Sequence, residues 1–313
     1  MSSRPKGATP KVSIIVLNWN GKSVTSECLD SLMKVDYANF EVILVDNNSQ
    51  DGSQEHFKRN YGWVRLIENE ENFGFTGGNN VGIDCALENQ SDYILLLNND
   101  TIVDSLFLAE LISVAESDEQ IGLLNPKIYY YGQPERIWYA GGKISPITGI
   151  AWHIGRKEFD TGQYDVQREV DFITGCAFLI KKEVIDKIGV LDEKFFIYSE
   201  DVDWTLRALK AGYKAVYVPT SKIWHKEGID SRSNKGEDFR LYLSTRNILY
   251  VMYKNYSLLR FSGFLLLFPF RWLLYMSLKM LLQKDFKAVL ALYKGFIDFC
   301  FMEKRGEKNQ GRS

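Results

Sequence analysis

Three short apolar runs, each closing on an acid or an amide, constrain this chain's fold more than any other feature. Residues 12–17 lead into Asn18, residues 40–45 into Asp46, and residues 93–97 into Asn98, Asn99 and Asp100. The runs are β-branched or leucine-rich and too short for helices, so they read as buried strands. Further strands are expected over 64–67 and 121–124. Helical spacing falls between them: over 23–34, with Val24, Cys28, Leu29 and Leu32 on one face, over 53–60, after a glycine-rich loop to about Leu87, and over 104–116. Strands alternating with helices predict an α/β fold, a mostly parallel sheet flanked by helices. In such sheets ligands bind beyond the carboxyl ends of the strands. Asn and Asp favour turns anywhere, but three such endings along one edge predict a single site.

Composition narrows the class. Hydrophobic residues make up 45% and charged residues 25%, which excludes a disordered chain, a collagen-like fibre and a multi-span transporter. The net charge of −2 argues against a nucleic-acid partner. That average hides an asymmetry: from Lys254 onward there are eleven Lys/Arg and four Asp/Glu, a basic, aromatic-rich tail on an acidic body. Cys28, Cys85, Cys176 and Cys300 are widely spaced with no C-x-x-C pair, so neither a zinc site nor a disulfide framework is indicated and a reducing compartment fits. The 12–17 run is too short for a signal-peptide core, so the body is expected in the cytoplasm.

No G-x-G-x-x-G follows the first strand, and no G-x-x-x-x-G-K-[ST] occurs anywhere, which disfavours a hydride-transfer enzyme and a P-loop NTPase. Asp100 stands at a strand's carboxyl end, where the plain reading is a helix N-cap ahead of Thr101 and Ile102. Asp46 can accept the imide N–H of a pyrimidine base, with Asn18 and Trp19 as base and ribose contacts. Gly74, Gly77 and Gly78 allow close backbone approach to a ligand, and the helix after them can offer its N-terminal amides to phosphate. Glu200, Asp201 and Asp203 crowd the start of a helix, where the dipole favours carboxylates. An aromatic run over 195–198 precedes them and could wall an apolar acceptor site, while Val202, Leu206 and Leu209 pin the helix to the core. Residues 129–167 read as an irregular excursion over the site.

Four stretches together carry a resemblance: VSIIVLNWN from Val12, VDNNSQDGS from Val45, LNND from Leu97 and YSEDVDW from Tyr198. With NFGFTGGNN from Asn72 and TGCAF from Thr174, this order resembles a family 2 glycosyltransferase of the GT-A fold, in its bacterial rhamnosyltransferase-like branch. The resemblance covers about residues 12–250 and implies inverting transfer of a sugar, rhamnose from dTDP-rhamnose within this branch, from a nucleotide-sugar donor to an acceptor hydroxyl. It implies Asp201 as catalytic base with Glu200 orienting it, Asp100 and His225 as ligands of Mg²⁺ or Mn²⁺, and Gly175 and Trp204 towards the acceptor. Asn18, Trp19, Asp46, Asn48, Gly74, Asn79, Asn98 and Asn99 fall to the nucleotide. Asn98 departs from the family's acidic D-x-D pattern, and a neutral amide holds a cation more weakly. A non-catalytic sugar-nucleotide-binding scaffold is the alternative from another class; a nucleotidyltransferase would need a Gly-rich, Arg-containing loop after the first strand.

The division expected is a glycosyltransferase domain over 1–250 and a C-terminal amphipathic helical extension over 251–313. Residues 263–282 approach transmembrane length, but Arg271 and Lys279 interrupt them and Pro269 is expected to break the helix. A basic amphipathic helix lying on an anionic membrane surface explains the same residues, placing the chain on the inner face of a bacterial membrane with a lipid-linked or polysaccharide acceptor. Packing on the body or a homodimer is the alternative for these helices.

Overall fold

The computed structural model describes residues 8–226 and 236–302. They divide into two units, the first holding 8–143, 152–196 and 200–226, the second 144–151, 197–199 and 236–302.

The first unit is built on one ten-stranded sheet. Its strands are β1 (Val12–Asn18), β2 (Phe40–Asp46), β3 (Arg65–Glu68), β4 (Tyr93–Asn98), β5 (Thr101–Val103), β6 (Ile121–Tyr130), β7 (Gln133–Tyr139), β10 (Arg168–Glu169), β11 (Ala177–Lys181) and β12 (Lys214–His225), with β8 (Gly142–Ile144) and β9 (Ala151–His153) as a separate ribbon. The order is β10-β12-β6-β11-β4-β1-β2-β3, with β5 against β12 and β7 against β6. β1, β2, β3 and β4 pair in parallel, as do β6 and β12, while β11 runs antiparallel between β4 and β6. Helices α1 (Lys22–Leu32), α2 (Ser53–Asn60), α3 (Gly74–Glu88), α4 (Phe107–Ala115), α5 (Lys182–Ile188) and α6 (Glu200–Lys210) connect them. The expected face of α1, Val24, Cys28, Leu29 and Leu32, is buried. Residues 12–16, 42–45 and 93–97 are buried throughout, as strands covered on both faces must be.

Three local expectations change. The glycine-rich stretch is helix, not loop: α3 begins at Gly74 and carries Gly77, Gly78, Asn79 and Asn80 buried within it. A Cβ on Gly78 would stand 2.5 Å from Leu17 Cδ1, so this glycine lets the helix lie against β1. Thr101–Val103 is a strand, so no helix starts at Asp100 and the N-cap alternative falls. The 121–124 strand runs on to Tyr130 because β12 pairs along it.

The second unit is helical: α7 (Glu237–Asn255), α8 (Leu258–Phe268), α9 (Tyr275–Leu282) and α10 (Phe286–Cys300). Ile248, Leu249 and Met252 of α7 share a small core with Phe261, Phe264, Phe268 and Leu292, which is why this unit takes in α7 and reaches upstream of residue 251. Pro269 does not break the helix. Pro269–Leu274 forms a π turn between α8 and α9, whose wider hydrogen-bond ring accommodates a residue that lacks an N–H and crowds the preceding carbonyl. Leu258–Leu282 is therefore continuous, and is long and apolar enough to cross a membrane by length and composition.

Candidate active site

Parallel pairing sets the strand ends level. Asn18 stands opposite Asp46 on β2, and Leu17 opposite Asn98 on β4. Asp46 Oδ2 accepts from Asn18 Nδ2 at 2.6 Å, and Asp46 Oδ1 from Ser49 N at 2.8 Å and Gln54 Nε2 at 2.9 Å. Asn18 Oδ1 accepts from Thr25 Oγ1 at 2.7 Å, which accepts from Asn99 Nδ2 at 2.8 Å. One hydrogen-bonded chain thus runs along the rim from β2 across β1 and α1 to the end of β4. Polar groups buried this way are rigid only when partnered, and here they are. Trp19, 39% exposed, follows Asn18 at the open edge.

Beyond β4 the chain turns through Asn99 and Asp100 into β5, whose antiparallel register sets Thr101 opposite His225. His225 Nε2 comes 3.1 Å from Asp100 Oδ1, both side chains being 9% exposed. The contact is not a hydrogen bond, and Asp100 Oδ1 and His225 Nδ1 are buried without hydrogen-bond partners. Asp100 Oδ1 needs a partner, and two ligands at right angles on one ion, each about 2.1 Å from it, stand about 3 Å apart, as this oxygen and His225 Nε2 do. The pair therefore fits a divalent cation. Among the described residues no group of three or more His, Cys, Asp or Glu converges on such an ion. Lys226 donates its N–H to the Asp100 carbonyl at 2.9 Å and pairs through Nζ with Glu27.

A second arm reaches the same turn. Asn98 N donates to the Cys176 carbonyl at 2.9 Å, and Gly175 N donates to Asp201 Oδ2 at 2.9 Å. Val202 N donates to Asp201 Oδ1 at 2.8 Å, so both carboxylate oxygens are held by backbone N–H groups. Burial raises the Asp201 carboxyl against those two donors. Burial also pushes Glu200 well above the ordinary carboxylate range, with the Asp201 charge adding to it, and Glu200 Oε2 has no partner. Both carboxyls therefore sit above their ordinary values, Glu200 further than Asp201. Asp203 is fully buried against Arg207 Nε at 2.8 Å and serves the fold.

Several expected residues lie elsewhere. Trp204 is fully buried, stacked on Phe178 with its Nε1 donating to the Gly189 carbonyl at 2.9 Å; it is a core residue that no acceptor can touch. A Cβ on Gly74 would meet the Phe196 ring at 2.5 Å, so that space is already filled. The α3 amides of Phe75 and Thr76 donate to the Phe196 carbonyl and that of Gly74 to Asn72 Oδ1, leaving these three without a free N–H for phosphate. Asn79 is buried and donates to the Phe75 carbonyl at 2.8 Å, inside its own helix. Asn48, at φ 59°, donates to the Glu70 carbonyl at 2.7 Å. A base at Asp46 would have to displace Gln54.

The sequence offered no signal for Thr25 or Gln54, which act only through tertiary contact. Trp138 of β7 and His153 of β9 came from the irregular excursion. The Trp138 ring sits edge-on to both histidines, its centroid 4.6 Å from His225 and 4.4 Å from His153. Burial, with Arg156 and His225 adding to it, lowers His153 to about 4.

Comparison with known proteins agrees with this architecture. An O-antigen biosynthesis protein of Myxococcus xanthus is 29% identical over 252 residues, 77% of this chain; the chain spans only 19% of that protein's length. An N-acetylglucosaminyl-diphospho-decaprenol L-rhamnosyltransferase of Mycobacterium tuberculosis is 26% identical over 206 residues, 59% of this chain and 66% of that one. A mannosyltransferase from Pyrobaculum calidifontis, solved with GDP-Man and Mn²⁺, shares the fold at a TM-score of 0.58 and 15% identity, covering 96% of this chain and 81% of its own. The model of the family described as glycosyltransferase like family 2 matches residues 10–246, and the chain belongs to that family.

Proposed function

We propose that the chain transfers a sugar from a nucleotide diphosphate donor to an acceptor hydroxyl, with inversion at the anomeric carbon. The observation that carries this is the rim itself: Asp46, Asp100 and Asp201 are joined to one turn at the end of β4. Asn18, Asp46 and exposed Trp19 would hold the nucleoside. Asp100 and His225 would hold Mg²⁺ or Mn²⁺, with oxygens of the diphosphate completing the shell, and the ion would neutralise charge on the leaving group. Asp201, fixed by two N–H donors, would take the acceptor's proton, with Glu200 beside it to orient it. The decaprenol-linked L-rhamnosyltransferase among the relatives, with a dTDP-rhamnosyl transferase of Shigella flexneri, favours rhamnose from dTDP-rhamnose and a lipid-linked or cell-surface polysaccharide precursor as acceptor. Arg271 and Lys279 within Leu258–Leu282 favour peripheral attachment over a span, through α8–α10 on the inner face of a bacterial membrane.

The test is release of nucleoside diphosphate across a panel of UDP-, dTDP- and GDP-sugars, with and without acceptor. Asp201→Asn is expected to lower transfer ~10³-fold or more and leave donor affinity within about twofold. Near-normal turnover in that variant would remove Asp201 from the role of base. Asn98, where the family carries an acid, favours a second reading, a non-catalytic sugar-nucleotide-binding scaffold. Binding of a donor with no turnover on any acceptor would favour it.

A further inference from the structure

The second unit holds an apolar cavity of about 440 Å³ that the transfer chemistry leaves unused. Its wall comes from Ile147 ahead of β9, Ile248 of α7, Phe264 and Phe268 of α8, and Arg271 and Trp272 of the π turn. The volume lies within the range of small-molecule sites, about 300–1,000 Å³. Trp272 Nε1 is already bonded to Thr245 Oγ1 at 3.0 Å, so the indole presents its rings, not its donor. Arg271 has no carboxylate in ion-pair distance among the described residues. The π turn adds a second observation: such bulges sit at functional sites more often than in plain helix, and this one carries Arg271 and Trp272 into the lining.

We propose that this cavity takes the isoprenoid chain of a lipid diphosphate, with Arg271 against the phosphate. The proposal rests on the lipid-linked acceptor put forward above and names where its lipid would be held. A bilayer can cover the convex, exposed residues of these helices, such as Leu266 at 74% and Leu282 at 86%, but a concave pocket needs a chain end to fill it. Aromatic walls suit a chain of methyl branches and double bonds, and a single guanidinium at the lining matches a phosphate in charge and geometry.

The probe is geranylgeranyl diphosphate carrying a diazirine on its last isoprene, cross-linked to the full chain and mapped by mass spectrometry. Adducts are expected on the cavity residues, displaced by unlabelled geranylgeranyl diphosphate and not by dioleoylphosphatidylglycerol vesicles. Arg271→Gln, an exposed site, should raise the half-saturating concentration ~10-fold and leave acceptor-independent donor hydrolysis unchanged. Phe264→Trp, checked by its melting temperature, should lower the adduct yield by narrowing the cavity. Adducts scattered over Leu266 and Leu282, equal displacement by phosphatidylglycerol, or an unaltered Arg271→Gln titration would each overturn the proposal. Sugar transfer to a lipid-linked acceptor without cavity labelling overturns it and leaves the function standing. Cavity labelling in a chain that turns over no donor supports the cavity and overturns the function.

Discussion

The rim of the sheet buries polar groups; the C-terminal helices expose apolar ones. Along the rim Asn18, Thr25, Asp46 and Asp100 are all buried, and most of their polar atoms are partnered inside the protein. Burying an unpartnered amide or carboxylate costs a few kcal/mol, so the few orphans left there, Asp100 Oδ1, His225 Nδ1 and Glu200 Oε2, are the costly exceptions. On α8–α10 the logic inverts. Leu258, Leu266, Phe270, Leu282 and Leu290 are each more than two-thirds exposed, an arrangement water penalises at about 25 cal/mol per Å². In one region the unmet need is for charge, in the other for a non-aqueous surface.

The largest way to break this comparison is at the cation pair. Asp100→Ala should lower turnover by ~10³-fold, and a chelator should do the same to the unaltered chain, with Mn²⁺ or Mg²⁺ restoring only the latter. Titration of Mn²⁺ by electron paramagnetic resonance gives the affinity directly; unchanged binding in Asp100→Ala would separate the orphan oxygen from any metal.

His153 comes next. Its folded value of about 4 lies below the unfolded value near 6.5, so its neutral form adds stability above pH 6.5 that is lost as pH falls towards 4. The gap is worth up to ~3 kcal/mol. Urea unfolding of His153→Gln across pH 7 to 4 should show a shallower loss than the parent; parallel curves would mean that this half-buried imidazole titrates normally.

A smaller effect sharpens the second region. Phe196, Tyr198 and Ser199 have φ of 64°, 73° and 70°, a cluster of non-glycine residues in the left-handed region just before Glu200. Each costs of order 1 kcal/mol and persists only where surroundings hold it. Buried Asn247 of α7 donates to the carbonyls of Ile197 and Tyr198 at 2.9 and 2.7 Å. Asn247→Ala should lower kcat ~10-fold per folded molecule with the melting temperature held within about 2 °C; a loss of activity that only follows the folded fraction would assign Asn247 to stability alone.

The smallest effect belongs to single exposed apolar residues. Leu282→Glu should weaken flotation of the full chain with anionic vesicles by several-fold and leave the melting temperature within about 2 °C. A parent chain that stays in solution with those vesicles would end the membrane reading.

The sheet's parallel core and its polar rim were legible because short buried strands and their Asn or Asp endings are local patterns. What stayed hidden depends on contacts between distant segments. Glycines at 77 and 78 look like a loop until Leu17 and Phe73 occupy the space beside them. Trp204 looks available beside a cluster of acids until Phe178 stacks on it. β5 has only three residues and exists because β12 pairs with it. Pro269 forbids an ordinary helical turn but not a wider one.

β5 and β12 carry one more implication. Asp100 is made early in synthesis and His225 late, and only their pairing sets the two side chains 3.1 Å apart. A nascent chain can thus hold β1, β2 and β4 in full well before Asp100 and His225 can meet. On the proposed function, a grip on the cation would then arrive as a late step of maturation.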